Sequence, residues 1–397
     1  MSNVDIAIVG AGLVGTPLAH VLSQQGWSVA LLDAGNSGKS AAASGIDPQS
    51  SLALSQRCTA LSSGTRTWFE RQGLWGKIVD DACPIEQVHV SHKGYFGSTR
   101  LQASDLNVDA VGYVVSNSTL NKVLLQQLSD TSVQHIASAR VDNVVYENDL
   151  VTIHYAKNTL SARLLIAADG VSSVVRSSAG IDTRQVDYDQ CAVLGNLQVQ
   201  NRHDNIAYER FTESGPLALL PRPGPYMSFV DCLEPDDRED VSAMSDAAYL
   251  QRLQKRFGHR AGRFEAVGPR FMTPLIRIEA TEQVAPRTVL LGNAARLLHP
   301  VGGQGYNLAM RDVAQLQTLL GQQLDANADP GAIGLLEQFV QQRKDDQEQV
   351  IRFTDLLARG FRGKAALPAH MRALGLLTLD TLAPLRNRFA RRTMGLA

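Results

Sequence analysis

The chain has 397 residues, enough for two or three domains of roughly 150 residues each. It is 44% hydrophobic, 19% charged and 6% aromatic, which supports a buried core and excludes a disordered chain or a small stapled scaffold. With 38 basic and 39 acidic residues the formal charge is −1, which argues against a general nucleic-acid binder.

Residues 4–9 form a short apolar run rich in β-branched residues, as a buried strand requires. Gly10-Ala11-Gly12-Leu13-Val14-Gly15 follows at once, then a helical pattern through Leu18, Val21 and Leu22 that ends near Gly26. Residues 28–32 read as a second strand ending at Asp33, which completes a strand-helix-strand opening. Residues 35–55 read as a long Gly, Ser and Ala-rich loop, and 62–72 as a helix capped by Gly73. Residues 88–91 and 112–115 read as strands. Residues 117–128 read as a helix with Leu120, Leu124 and Leu128 on one face. Val151, Ile153 and Tyr155 alternate with Thr152 and His154, the mark of a half-buried strand. Residues 164–168 are another buried strand, leading into Asp169-Gly170. Residues 191–233 hold several strand-like runs broken at Pro221, Pro223, Gly224 and Pro225. Residues 289–292 are again a buried strand, and beyond Gly305 the pattern is helical to the end.

The pieces at 4–33, 164–176 and 289–312 share one form: apolar strand, then Gly or Asp-Gly, then helix. The expected fold is α/β. A Rossmann-like nucleotide-binding domain (1–75, 112–185 and 280–340) is interleaved with a smaller mixed or antiparallel-sheet substrate domain (76–111 and 186–279), and a helical segment (341–397) ends the chain. Cys58, Cys83, Cys191 and Cys232 form no CxxC pair, so free thiols are expected, with neither a disulfide framework nor a metal site. No basic n-region precedes the first apolar run, and no stretch approaches the ~20 apolar residues of a membrane span. A cytoplasmic protein is expected.

GxGxxG alone is weak, but here a strand precedes it, a helix follows, and an acid ends the next strand. Gly10 permits the tight turn, Gly12 lets backbone approach a pyrophosphate, and Gly15 lets helix pack on strand. The helix start offers N–H donors to phosphate. Asp33, 18 residues after Gly15, has the spacing of a ribose-binding carboxylate. Asp169-Gly170 is by itself an ordinary turn signal. The run from Gly292 through Asn293, His299 and Pro300 to Gly302-Gly303-Gln304-Gly305-Tyr306-Asn307 is less ordinary. Its glycines would let backbone come close to a flat ligand just before a helix.

With these three motifs in order, the sequence resembles the FAD-dependent aromatic hydroxylases, the class A flavoprotein monooxygenases, and within them the ubiquinone-biosynthesis hydroxylases. The resemblance covers nearly the whole chain. Arg57-Cys58-Thr59-Ala60-Leu61-Ser62 resembles the flavin-contacting arginine segment of that family. Glu209-Arg210-Phe211 and Gly215 to Pro221 resemble its substrate-domain strands. One departure is that Asn293 and Arg296 stand where the third motif usually carries aspartate and histidine. Asn293 can donate or accept a hydrogen bond but cannot act as a carboxylate base. This variant resembles the methoxyphenol hydroxylase branch.

The resemblance implies FAD as cofactor, NAD(P)H as reductant bound transiently, and molecular oxygen as co-substrate. Gly10, Gly12 and Gly15 would hold the pyrophosphate, Asp33 the adenosine ribose and Arg57 the phosphates. Asp169 would lie near the pyrophosphate and the nicotinamide, and Gly292 and Asn293 at the ribityl chain. The backbone of Gly303, Gln304, Gly305 and Asn307 would line the pyrimidine end of the isoalloxazine. Pro300 would lie near flavin and substrate, with His299 the candidate base. Arg210, Leu219 and Pro221 would contact substrate. The implied reaction is hydroxylation of a 2-polyprenyl-6-methoxyphenol through a flavin C4a-hydroperoxide. The alternatives are another ring position of the same pathway, a soluble aromatic acid held by Arg210 or Arg222, or a catalytically silent flavoprotein scaffold.

Residues 351–397 carry nine basic residues against two acidic ones, a local +7, together with a run of leucines. A helix packing those leucines on the flavin domain accounts for this. So does a peripheral contact with anionic lipid at the inner membrane face, or docking in a biosynthetic complex.

Overall fold

In a computed structural model describing residues 2–35, 53–95, 97–147, 149–360 and 382–395, the first sheet joins strands from distant parts of the chain. Ser2–Val9 lies between Val29–Leu32 and Asn158–Ala167, and Asn158–Ala167 in turn pairs with Thr288–Leu290, all in parallel. Gln134–Ile136 adds a further parallel strand beside Val29–Leu32. Ile6, Ile8, Leu31, Leu164 and Ile166 face one core with Leu18 and Leu22 of the helix Gly15–Gln25. Ala7, Val9, Ala30, Leu32, Leu165 and Ala167 face the other. Burial on both faces explains why these strands read as unbroken apolar runs.

The second sheet has nine strands, mostly antiparallel, around the long strand Thr183–Val199. That strand pairs with Tyr226–Leu233 on one side and Phe271–Ala280 on the other. Gly215–Arg222, Ile206–Thr212 and Gln87–His92 extend the sheet. The helix Asp246–Phe257 covers one face, packing Tyr249, Leu253 and Phe257 on Leu197, Leu217, Leu219 and Phe229. A three-stranded sheet of Cys58–Ser62, Gly112–Ser116 and Cys83–Ile85 stands apart from both.

The helix Asn117–Leu128 matches its sequence expectation residue for residue, with Ser116 as N-cap. The long strand starts at Thr183 rather than near Cys191. Its first eight residues are largely polar, and Thr183 to Asp187 are held by pairing with Ile276–Ala280, so no apolar alternation marks them. Two long helices, Gln304–Asp325 and Ile333–Gly360, and the helix Ala383–Thr393 follow. Of the expected loop at 35–55, residues 36–52 lie outside the described residues and 53–55 are helical; the tail residues 361–381 also lie outside the described residues. Among the described residues no helix is long and apolar enough to cross a membrane.

Candidate active site

The three motifs meet at the carboxyl ends of the parallel strands. Gly10 takes φ +106°, and a Cβ there would stand 2.3 Å from the Ala168 carbonyl oxygen, so only glycine lets the first motif touch the second. At Gly15 a Cβ would stand 2.0 Å from the Gly10 carbonyl oxygen. Gly12 is the opposite case, because beyond its chain neighbours no atom of the described residues lies within 4 Å of where its Cβ would be. Gly292, at φ +56°, rests against Val14, which brings the third motif to the first. Arg176, buried, donates to the carbonyls of Ala294 (2.9 Å) and Val171 (2.8 Å), which fastens the second motif to the third. Tyr306 donates to the Leu13 carbonyl at 3.0 Å.

Around this junction lie polar groups that the protein leaves unused. The helix Gly15–Gln25 has no side-chain cap and no acid in its first turn, so its amino end can receive an anion. Asp169 accepts from the amides of Val174 (3.0 Å) and Val175 (3.4 Å) through Oδ2, while its buried Oδ1 has no partner. Burial also raises the Asp169 carboxyl above its ordinary range. Asp33 is half-buried at the end of its strand, with Oδ1 accepting from the Gly35 amide at 3.0 Å. Arg57 and Asn293 are exposed. Gly302 and Gly303 are left-handed, at φ +69° and +59°, and Gly303 caps the helix Gln304–Asp325. Gln304 keeps a buried Oε1 without a partner, and Gly305 faces open space.

The side chain of Asn307 is employed within the protein. Its Oδ1 accepts from the Ser62 amide (2.7 Å) and the Thr65 hydroxyl (2.8 Å). Its Nδ2 donates to the carbonyls of Ala60 (3.0 Å) and Gly303 (2.9 Å). With four internal bonds its side chain ties the strand Cys58–Ser62 to the helix start and is not free for a ligand.

A cavity of about 560 Å³ opens from the Pro300–Gln304 loop between the second sheet, the three-stranded sheet and the last two helices. Val88, Phe211, Leu220, Val230, Phe353 and Leu357 are representative of its walls. Glu209 and Arg386 are the charged residues in the lining, and Arg386 is ion-paired with Asp105 at 2.9 Å.

The expected substrate contacts need correction. Arg210, Leu219 and Pro221 do not line this cavity. Their neighbours Glu209, Phe211, Ala218 and Leu220 do, because side chains alternate across a strand and the opposite face turns inward. Arg210 donates to Ser91 Oγ at 3.2 Å, and Leu219 is fully buried under the helix Asp246–Phe257. Arg222 is spent on Gln56 (2.9 Å) and the Ala53 carbonyl. His299 lies behind Pro300 rather than in the wall. It is 1% exposed, stands edge-on to Tyr188, and accepts from the Val301 amide at 3.2 Å. Burial holds its imidazole down to about 4, so it is neutral at pH 7 and structural. Pro300 does line the cavity. Sequence reasoning missed Arg176 and Glu209; Arg176 had no local signal beyond its place after Asp-Gly.

Residues 3–354 match the family model described as FAD binding domain. The chain belongs to this FAD-binding family. It is 33% identical to the ubiquinone hydroxylase UbiL of Rhodospirillum rubrum, across 98% of this chain and 89% of that one. It is 27% identical to the 3-demethoxyubiquinol 3-hydroxylase of Escherichia coli, across 99% and 98%. Among solved structures, the p-nitrophenol 4-monooxygenase of Pseudomonas putida superposes with a TM-score of 0.79 at 17% identity, covering 99% of both chains. The chain is an FAD-dependent monooxygenase, and the motif junction suits that cofactor. Gly12 and Gly305 leave room for it, an uncapped helix end faces anionic groups, and the unused oxygens of Asp169 and Gln304 can accept its hydrogen bonds.

Proposed function

We propose that this monooxygenase hydroxylates a polyprenylated phenol, a 2-polyprenyl-6-methoxyphenol, in ubiquinone biosynthesis, with NAD(P)H as reductant. The observation that carries the reading is the apolar cavity beside Pro300 and Gly303, which suits a lipophilic ring and offers an aromatic acid no unpaired cation among the described residues. The names of the relatives support the pathway, and the 3-demethoxyubiquinol 3-hydroxylase keeps another ring position as the alternative.

The redox chemistry, hydride uptake from the nicotinamide and activation of oxygen, would be supplied by FAD held at the junction of Gly10, Gly12, Asp169 and Gly303. The protein's part is binding, orientation and exclusion of water. Gly302 and Gly303 shape the backbone where the ring system would lie, and Asn307 locks that backbone to the strand Cys58–Ser62. Phe353, Leu356 and Leu357 give one side of the cavity an apolar wall. In a strain lacking the gene, the unhydroxylated methoxyphenol should accumulate and disappear on complementation, read by mass spectrometry of quinone intermediates. An unchanged ubiquinone pool in that strain contradicts the proposal.

A substrate of this kind resides in the bilayer, and the cavity wall is built partly from Leu356, Arg386 and Ala390 of the last two helices. Leu356 is 66% exposed and Leu382 49%, with Arg388, Arg391 and Arg392 also exposed. We infer peripheral docking of this face on anionic lipid. Flotation with phosphatidylserine vesicles should fall about tenfold or more when Arg388 and Arg392 are both changed to Glu, at roughly 1 kcal/mol per charge near the surface. Equal flotation of the two proteins would refute the docking.

A further inference from the structure

We propose that Glu209 is the catalytic residue that takes the phenol proton of the substrate, an inference resting on the hydroxylase reading above. Glu209 belongs to the strand Ile206–Thr212 and lines the cavity at the end formed by the Pro300–Gln304 loop. Its Oε1 is buried and has no hydrogen-bond partner among the described residues. A carboxylate oxygen in an apolar wall without a donor is costly unless something else supplies one. A phenol hydroxyl entering this cavity is such a donor.

The surroundings leave Glu209 to act alone. Its register partners are Ala218 and Val90, both apolar and both in the cavity wall. From the helix Ile333–Gly360 the wall receives Phe353, Leu356 and Leu357. The Gly302 amide favours the charged carboxylate, while burial opposes it and pushes the carboxyl up to about 7. Cys232, on the strand Tyr226–Leu233, is the nearby titratable group, and burial keeps its thiol protonated. Arg386, across the cavity, is paired with Asp105. His299, the candidate from sequence, is turned away from the wall and neutral. A carboxyl that titrates near the working pH is suited to general base catalysis.

The step balances as follows. The phenol O–H bond breaks, its proton forms an O–H bond on Glu209 Oε1, and the electron pair enters the ring. The activated ring carbon gains a hydroxyl from molecular oxygen at the expense of the reduced nicotinamide. The second oxygen atom leaves as water, the hydrogens of the new hydroxyl and of that water coming from the nicotinamide, the displaced ring hydrogen and one proton from solvent, and Glu209 returns its own proton to the original ring oxygen. Glu209 ends as it began.

The test compares wild-type holoenzyme with Glu209→Gln, an isosteric change that retains the fold. The probe is a 2-methoxyphenol carrying a short prenyl chain. Donation of its hydroxyl to the carboxylate favours the charged form, so binding near pH 7 should release protons. Calorimetry in two buffers of different ionisation enthalpy reads that release. Wild type should release a substantial fraction of one proton per site and Glu209→Gln essentially none. The acid limb of kcat near pH 7 should vanish with a fall of roughly a hundredfold in kcat. Binding with equal proton release in both proteins overturns the role of Glu209 while sparing the substrate class. Failure of wild type to bind the probe overturns the substrate class, and the proposal with it.

Discussion

Replacing Gly15 with Ala should cost about 3 kcal/mol of folding stability, whereas Gly12→Ala should leave stability almost unchanged and weaken FAD binding instead. The Gly15 methyl would stand 2.0 Å from the Gly10 carbonyl oxygen, and backbone cannot yield as a flexible side chain can. Beyond its chain neighbours the Gly12 methyl would meet no atom of the described residues within 4 Å. It would instead meet a ligand lying against the amino end of the helix Gly15–Gln25. Urea unfolding of the apoproteins and flavin titration separate the two effects. We expect the Kd for FAD to rise at least tenfold for Gly12→Ala, about 1.4 kcal/mol. Unchanged flavin affinity in Gly12→Ala would remove the pyrophosphate from this loop.

The other large effect belongs to Asp312, 1% exposed on the helix Gln304–Asp325. Its carboxylate accepts from Arg343 at 2.6 Å, Gln347 at 2.9 Å and Arg296 at 3.2 Å. Arg296 follows the third motif, and Arg343 and Gln347 lie on the helix Ile333–Gly360. Asp312 therefore joins the flavin loop to a helix that walls the cavity. Asp312→Ala would take the shared carboxylate from the buried Arg343, leaving it Asp346, and from Arg296, leaving it Gln283, at an expected cost of about 3 kcal/mol. That is about a fifth or more of the stability of an ordinary domain. Chemical denaturation should show the loss, and a shift below about 1 kcal/mol would mean that the arginines find other partners.

These residues also show what a sequence can disclose. The opening strand, glycine turn and helix were legible because each signal is local: unbroken apolar residues, then Gly10, Gly12 and Gly15, then helical spacing. The helix Asn117–Leu128 was legible for the same reason. The convergence of the three motifs depended on resemblance, since nothing local says that Gly10 abuts Ala168 or that Arg176 reaches Ala294. Substrate contacts were misread by one residue along each strand. Alternation tells which residues share a face, but only the packed sheets decide which face meets the cavity. Glu209 stood in the same quoted segment as Arg210, and its place beside Phe211 between apolar strands was the available signal. His299 drew attention as a histidine inside a motif, while its burial against Tyr188 is a tertiary fact.

The most direct measurement of the central claim is oxygen labelling. Holoenzyme is supplied with reduced nicotinamide, a short-chain prenylated methoxyphenol and oxygen-18 gas, and the product is weighed by mass spectrometry. The account predicts one heavy oxygen atom on the ring and nicotinamide consumed in proportion to product. Nicotinamide oxidation that yields only hydrogen peroxide, with no labelled phenol, would contradict it.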